Sequence, residues 1–219
     1  MTITPDSAKQ LLESEDFGDR IRGINQLREI DTATAFELIQ PMITDKNTRV
    51  RYAAVSQLDT LGVTKKEECL KLLRDRLFND PEPDVQAAAA DAIGGLKLTE
   101  AYDDLDKIYH ETSEWLIQFS IIAALGELGE PKGFELLSEA LKSNNNLLQT
   151  AAIGALGELG DNRAVPLLTP FADNEDWQVR YRLVQALGRL GGTEARATIE
   201  KLSEDESEQV AKEAQNNLS

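Results

Sequence analysis

Apolar and small residues recur along the chain in one frame: an apolar residue, then apolar or small positions three, four, seven, eight and eleven residues further on. At 100° per residue those offsets fall on a single stripe, the signature of a helix buried along one side. With the residue at offset 8 as an anchor, the frame fits seven times, at Leu27, Leu58, Ile93, Leu125, Leu156, Leu187 and Leu218, at intervals of 31, 35, 32, 31, 31 and 31. Six frames open on an apolar residue (Val50, Val85, Ile117, Leu148, Val179, Val210) and the first on Asp19, as expected of an atypical terminal repeat.

Between these inner helices lie shorter amphipathic stretches, 4–13, 32–42, 65–78, 100–110, 132–141, 163–171 and 194–202, each predicting a partner helix. Turn chemistry separates them at 80–83, 129–131, 144–146 and 160–162. One helix pair covers only one side of its stripe, so the rest must be buried against the next pair. The expected fold is therefore all-α: a right-handed α-solenoid of seven short helix pairs forming a single domain over 1–219. The third pair, in the longest interval, should carry a longer outer helix or loop.

The phrase 123–129, Ala-Ala-Leu-Gly-Glu-Leu-Gly, returns nearly unchanged at 154–160 and 185–191. Its first glycine, with counterparts at Gly94, Gly126, Gly157 and Gly188, lies inside a helix, where it costs about 0.5–1 kcal/mol relative to alanine; close approach of helices is the expected reason. The second, at Gly129, Gly160 and Gly191, sits where a left-handed C-terminal cap belongs.

Composition narrows the function. The formal charge of −16 repels phosphate backbones, which argues against nucleic acid and against a HEAT-like reader of damaged bases, whose concave face would have to be basic. No run of eighteen apolar residues exists to span a bilayer, and 1–6 lacks the basic and apolar segments of a signal peptide. One cysteine excludes an intramolecular disulfide. A soluble, cytoplasmic protein without membrane insertion is expected.

One His and one Cys offer no paired metal ligands and no nucleophile–base pair recognisable by spacing. Cys69 falls on the third outer helix, as a half-buried packing thiol or a reactive one. His110 ends the fourth outer helix, where the helix dipole favours an imidazolium. Offset 2, about 170° from the apolar stripe, carries Tyr52, Phe119 and Tyr181, and Trp115 and Trp177 stand two residues ahead of frames four and six. These five rings are either spacers between repeats or the lining of an amphipathic groove. At offset 1, Arg51 and Arg180, with Gln86, Gln118 and Gln149 in the frames between, suit a ladder to acidic loop residues; the arginines are also candidate ligands for carboxylates.

The A-x-x-A-L-G-x-L-G phrase at a period near 31 resembles the short HEAT-like repeats of the phycocyanobilin lyase E/F family. The non-repeating text at 49–58, 79–91 and 112–120, with the length, is similar to the NblB-type phycobilisome degradation proteins of cyanobacteria. The resemblance implies a cytoplasmic protein, associated with phycobilisomes at the thylakoid surface, that binds phycobiliproteins such as phycocyanin and allophycocyanin. It needs no cofactor, and phycocyanobilin is the molecule it would bind and detach. On that reading the rings Tyr52, Trp115, Phe119, Trp177 and Tyr181 and the arginines Arg51 and Arg180 bind. His110 moves protons, and Cys69 is the one thiol available to trap bilin. A non-enzymatic adaptor that docks phycobiliproteins for proteolysis is the alternative. Oligomeric state is left open by the sequence.

Overall fold

The computed structural model describes residues 2–218; Met1, in the amino-terminal stretch inspected for a signal, and Ser219 lie outside them. The described residues form helices and turns without a strand, and the chain divides into two compact units, Met1–Ser120 and Ile121–Ser219.

In the first unit, α1 (Pro5–Leu12) packs on α2 (Phe17–Gln26), and α3 (Thr32–Ile39) precedes α4 (Thr48–Ser56) and the short α5 (Leu58–Leu61). Next, α6 (Lys66–Asn79) packs on α7 (Pro83–Gly95), followed by α8 (Tyr102–Glu111) and the start of α9 (Trp115–Leu128). Inner helices also pack on one another in succession, α2 on α4 and α4 on α7. The second unit repeats the plan with α10 (Gly133–Ala140), α11 (Asn146–Leu159), α12 (Val165–Leu168), α13 (Trp177–Leu190), α14 (Thr193–Leu202) and α15 (Glu208–Leu218), in which α11, α13 and α15 stack in order. The all-α solenoid of short helix pairs expected from the pattern is the fold observed.

The anchors explain why these segments become helices that pack. Leu27, Leu58, Ile93, Leu125, Leu156 and Leu187 are completely buried, each removal from water being worth about 1.5–3 kcal/mol; Leu218, at the end, is half-buried. The longer third outer helix also appears, α6 having 14 residues against 8 in α1. Two outer stretches differ from the single helices expected. The 32–42 stretch turns into a 3-10 helix at Gln40–Thr44, and 163–171 breaks into 3-10, α and 3-10 pieces. Pro41, Pro166 and Pro170 are the cause: each lacks an N–H and its ring crowds a carbonyl four residues back.

Gly157 permits the close approach. A methyl there would sit 2.6 Å from the Cα of Ala186 on α13, a backbone atom that cannot move aside cheaply. Gly126 stands in the same relation to Ala155 on α11, at 2.8 Å. Gly129, Gly160 and Gly191 all have positive φ, of 69°, 74° and 70°; Gly160, with ψ of 17°, is the left-handed cap expected, whereas Gly191 has ψ of −165° and leaves α13 in an extended direction.

A polar device recurs at every turn into an inner helix. Side-chain oxygens of Ser14, Asp45, Asp80, Thr112, Ser143, Asn174 and Asp205 each accept the backbone N–H two residues on, at 2.8–3.2 Å. The choice of residue follows the preceding frame. Where offset 1 is Arg20, Arg51 or Arg180, the next turn carries Asp45, Asp80 or Asp205 and a buried ion pair forms, at 2.8, 2.8 and 2.7 Å. Where offset 1 is Gln86, Gln118 or Gln149, the next turn residue is the neutral Thr112, Ser143 or Asn174. A buried arginine thus meets a carboxylate and a glutamine does not, which keeps uncompensated charge out of the stack.

Candidate functional site

In each unit, inner helices carry aromatic rings off the apolar stripe. Tyr52 on α4 is 49% exposed, Trp115 and Phe119, one turn apart on α9, 48% and 36%, and Trp177 at the start of α13 is 42% exposed. Tyr181, one turn after Trp177, is half-buried, its hydroxyl 3.4 Å from Oε2 of Glu213 on α15. Asp176 caps α13 by accepting from the N–H of Gln178 at 2.8 Å, which fixes Trp177 at the first helical position.

In the second unit Trp177 and Tyr181 come together around a surface cleft of about 440 Å³, completed by Thr150 of α11, Gln178 and Arg182 of α13 and Gln209 of α15. That volume lies within the usual range of small-molecule sites. Arg182 crosses the cleft because Gly154 leaves room: a methyl at Gly154 would lie 3.3 Å from the Arg182 Cδ. The guanidinium donates to Oε1 of Gln185 at 3.2 Å and makes no ion pair among the described residues.

Arg51 and Arg180 are placed differently from the ligand-binding role considered for them. Both are buried; Arg51 gives its donors to Asp80 and the Asp45 carbonyl, and Arg180 to Asp205 and the carbonyls of Asn174 and Glu175. They form the ladder. Cys69 is fully buried rather than half-buried, its thiol 3.8 Å from the Gly62 carbonyl, and burial pushes its pKa up to about 11. A thiol so placed is shielded and held in its protonated form at neutral pH.

His110 stands in the last turn of α8, half open to solvent, with Nδ1 2.8 Å from the carbonyl of Asp106 and 3.8 Å from its carboxylate. A carbonyl only accepts, so Nδ1 is the protonated nitrogen. The ring meets Tyr109 edge to face at 5.3 Å.

Two residues escaped the sequence reasoning. Asp91 is the one acid in the run 87–92, otherwise alanine. It keeps an open side to solvent, yet enough protein surrounds the carboxyl to raise its pKa above the ordinary carboxylate value, against the opposing effect of the hydrogen bond from Ser120. Arg182 occupies offset 3, where frames two to five carry Ala53, Ala88, Ser120 and Ala151. In both cases the signal was a departure from the repeat. Among the described residues no three His, Cys, Asp or Glu converge as metal ligands, and no helix is long and apolar enough to cross a membrane.

Comparison with known proteins adds the family. The HEAT repeats family matches residues 70–153 and 134–219. No curated protein matches the chain in sequence. Among solved structures, the chain is similar to the complex of CpcE and CpcF of phycocyanin lyase from Nostoc sp. PCC7120 (TM-score 0.67, 21% identity, covering 100% of this chain and 94% of that one). It is also similar to YibA of Escherichia coli (TM-score 0.67, 18% identity, 98% and 80% covered). A third likeness, to Kap121p, has a TM-score of 0.68 at 18% identity and spans 97% of this chain but 27% of Kap121p. These identities speak for a shared fold. With the family matched over more than half its length, the chain belongs to the HEAT-repeat family.

Proposed function

We propose that the chain is a phycobiliprotein-binding factor that promotes phycobilisome breakdown by detaching phycocyanobilin from phycobiliprotein cysteines. The observation that carries this reading is the set of open rings on the inner helices, Tyr52, Trp115, Phe119 and Trp177. Large rings left in water on helix faces suit an amphipathic partner surface or a conjugated ligand, each aromatic contact adding about 0.5–1.5 kcal/mol beyond burial. The sequence phrases at 49–58, 79–91 and 112–120 and the likeness in fold to the CpcE and CpcF complex of phycocyanin lyase support the choice of partner. The protein would work in the cytoplasm, at phycobilisomes on the thylakoid surface.

Detachment reverses a thiol addition. A base takes a proton from the bilin carbon next to the thioether carbon, that electron pair becomes a double bond, and the carbon–sulfur pair leaves on sulfur as the cysteinyl thiolate. The thiolate then takes up a proton. Asp91 suits the exchange better than Cys69, because its carboxyl reaches solvent and its pKa is displaced toward neutrality; His110 is the second proton carrier. The adaptor reading uses the same rings and omits the proton transfer. Binding of immobilised protein to chromophorylated phycocyanin, with and without Tyr52→Ser and Phe119→Ser, tests the shared part. Capture that the double variant weakens supports the proposal, and capture by neither protein, both remaining helical, refutes it.

A further inference from the structure

The second unit contains a cation that the fold does not use. In a chain of net charge −16, the buried arginines Arg20, Arg51 and Arg180 each have a carboxylate at ion-pair distance, whereas Arg182 is exposed at the edge of a cleft. Arg182 has none among the described residues and donates only to the neutral Gln185. It also stands where frames two to five place alanine or serine, and its stem lies across Gly154, the residue with no side chain to block it.

Around it the cleft supplies the rest of a binding site. Trp177 offers an open indole face, Tyr181 a second ring one turn later, and Gln178, Gln209 and Thr150 neutral hydrogen-bonding groups. Glu213, the nearby acid, is engaged by the Tyr181 hydroxyl and by the side-chain amide of Asn217, at 3.4 Å each. Two rings and one uncommitted guanidinium in about 440 Å³ match a flat conjugated group that carries a carboxylate.

We infer that the Trp177–Tyr181–Arg182 cleft binds a planar conjugated carboxylate, with the rings stacking on its π-system and Arg182 pairing with its carboxylate. The choice of a linear tetrapyrrole as that molecule rests on the proposed function; the cleft's chemistry does not. The volume covers part of such a molecule.

Biliverdin, a linear tetrapyrrole dicarboxylate, is titrated into the full-length Trp115→Phe protein, in which Trp177 is the one remaining tryptophan. Saturable quenching of Trp177 emission is expected. Adding Arg182→Met should weaken the affinity about tenfold, the worth of one charge-assisted hydrogen bond, while the biliverdin dimethyl ester should bind both proteins alike. Equal biliverdin affinity in the two proteins overturns the inference, as does absence of quenching in a protein that circular dichroism finds helical. Phycocyanin capture by the same proteins separates the two ideas: quenching without capture leaves the cleft standing and removes the proposed function, and capture without quenching does the reverse.

Discussion

Arg180 and Asp205, 25 residues apart, form a forked ion pair in which Nε and Nη2 of the arginine lie 2.7 and 2.8 Å from the two carboxylate oxygens. Both side chains are buried, and the pair ties the start of α13 to the turn before α15. Its counterparts at Arg20–Asp45 and Arg51–Asp80 make it a rule of the stack.

Breaking the pair on one side should therefore be worse than replacing both sides. Asp205→Asn leaves the buried guanidinium with only the exposed Glu206 carboxylate, at 3.4 Å, and should cost about 3 kcal/mol in urea unfolding. Adding Arg180→Gln installs the Gln149 and Asn174 combination used one repeat earlier, and most of the loss should return. The Arg180 bond also holds the Asp205 pKa below its ordinary value. Its stability contribution is present above the unfolded carboxylate pKa and is lost as pH falls through the depressed folded one. Wild type should thus lose stability in acid more steeply than the double variant; a double variant as unstable as the single one would show the two sites to be independent.

Gly157→Ala reverses the usual preference of helices. Alanine should stabilise a helix interior by about 0.5–1 kcal/mol, yet here its methyl meets the Ala186 backbone at 2.6 Å. Overpacking of this kind costs about 1–3 kcal/mol, so the urea midpoint should fall. A midpoint that rises would mean that α11 and α13 separate freely.

Asp91 gives a pH dependence of the opposite sign to Asp205. Its folded pKa lies above the unfolded one, so between the two the native state holds a proton that the unfolded chain has lost. Stability falls as pH rises through that window. Asp91→Asn should remove the fall, leaving a protein more stable than wild type above the window and no different below it. Parallel stability–pH curves for the two proteins would contradict the raised pKa.

Cys69 should be silent in the native protein. With its thiol buried and its pKa near 11, reaction with a disulfide reagent should be slow when folded and fast in urea. Rapid labelling of the folded chain would reopen a covalent role for it.

Much of the fold was legible because a repeat states its rule seven times. The anchors and the positive-φ glycines Gly129, Gly160 and Gly191 followed from spacing alone, since burial and positive φ each admit few residue types. The proline breaks at Pro41, Pro166 and Pro170 were written in the chain but masked by amphipathic patterns that ran through them. The charge ladder was legible as a possibility and not as buried pairs, because the partners lie 25 and 29 residues apart and sequence carries no depth. The site was least legible. Averaging over repeats discards departures as noise, and Arg182 and Asp91 are departures: one cation left free by its neighbours, one acid in a run of alanines.

Incubation of the purified protein with chromophorylated phycocyanin, followed by denaturing separation of pigment from polypeptide, tests the central claim most directly. The account predicts bilin leaving the polypeptide, free cysteine thiol appearing in equal amount, and slower release with Asp91→Asn. Bilin retained in full on the polypeptide, with its absorption unchanged while phycocyanin binds, would contradict detachment and leave the HEAT-repeat chain an adaptor.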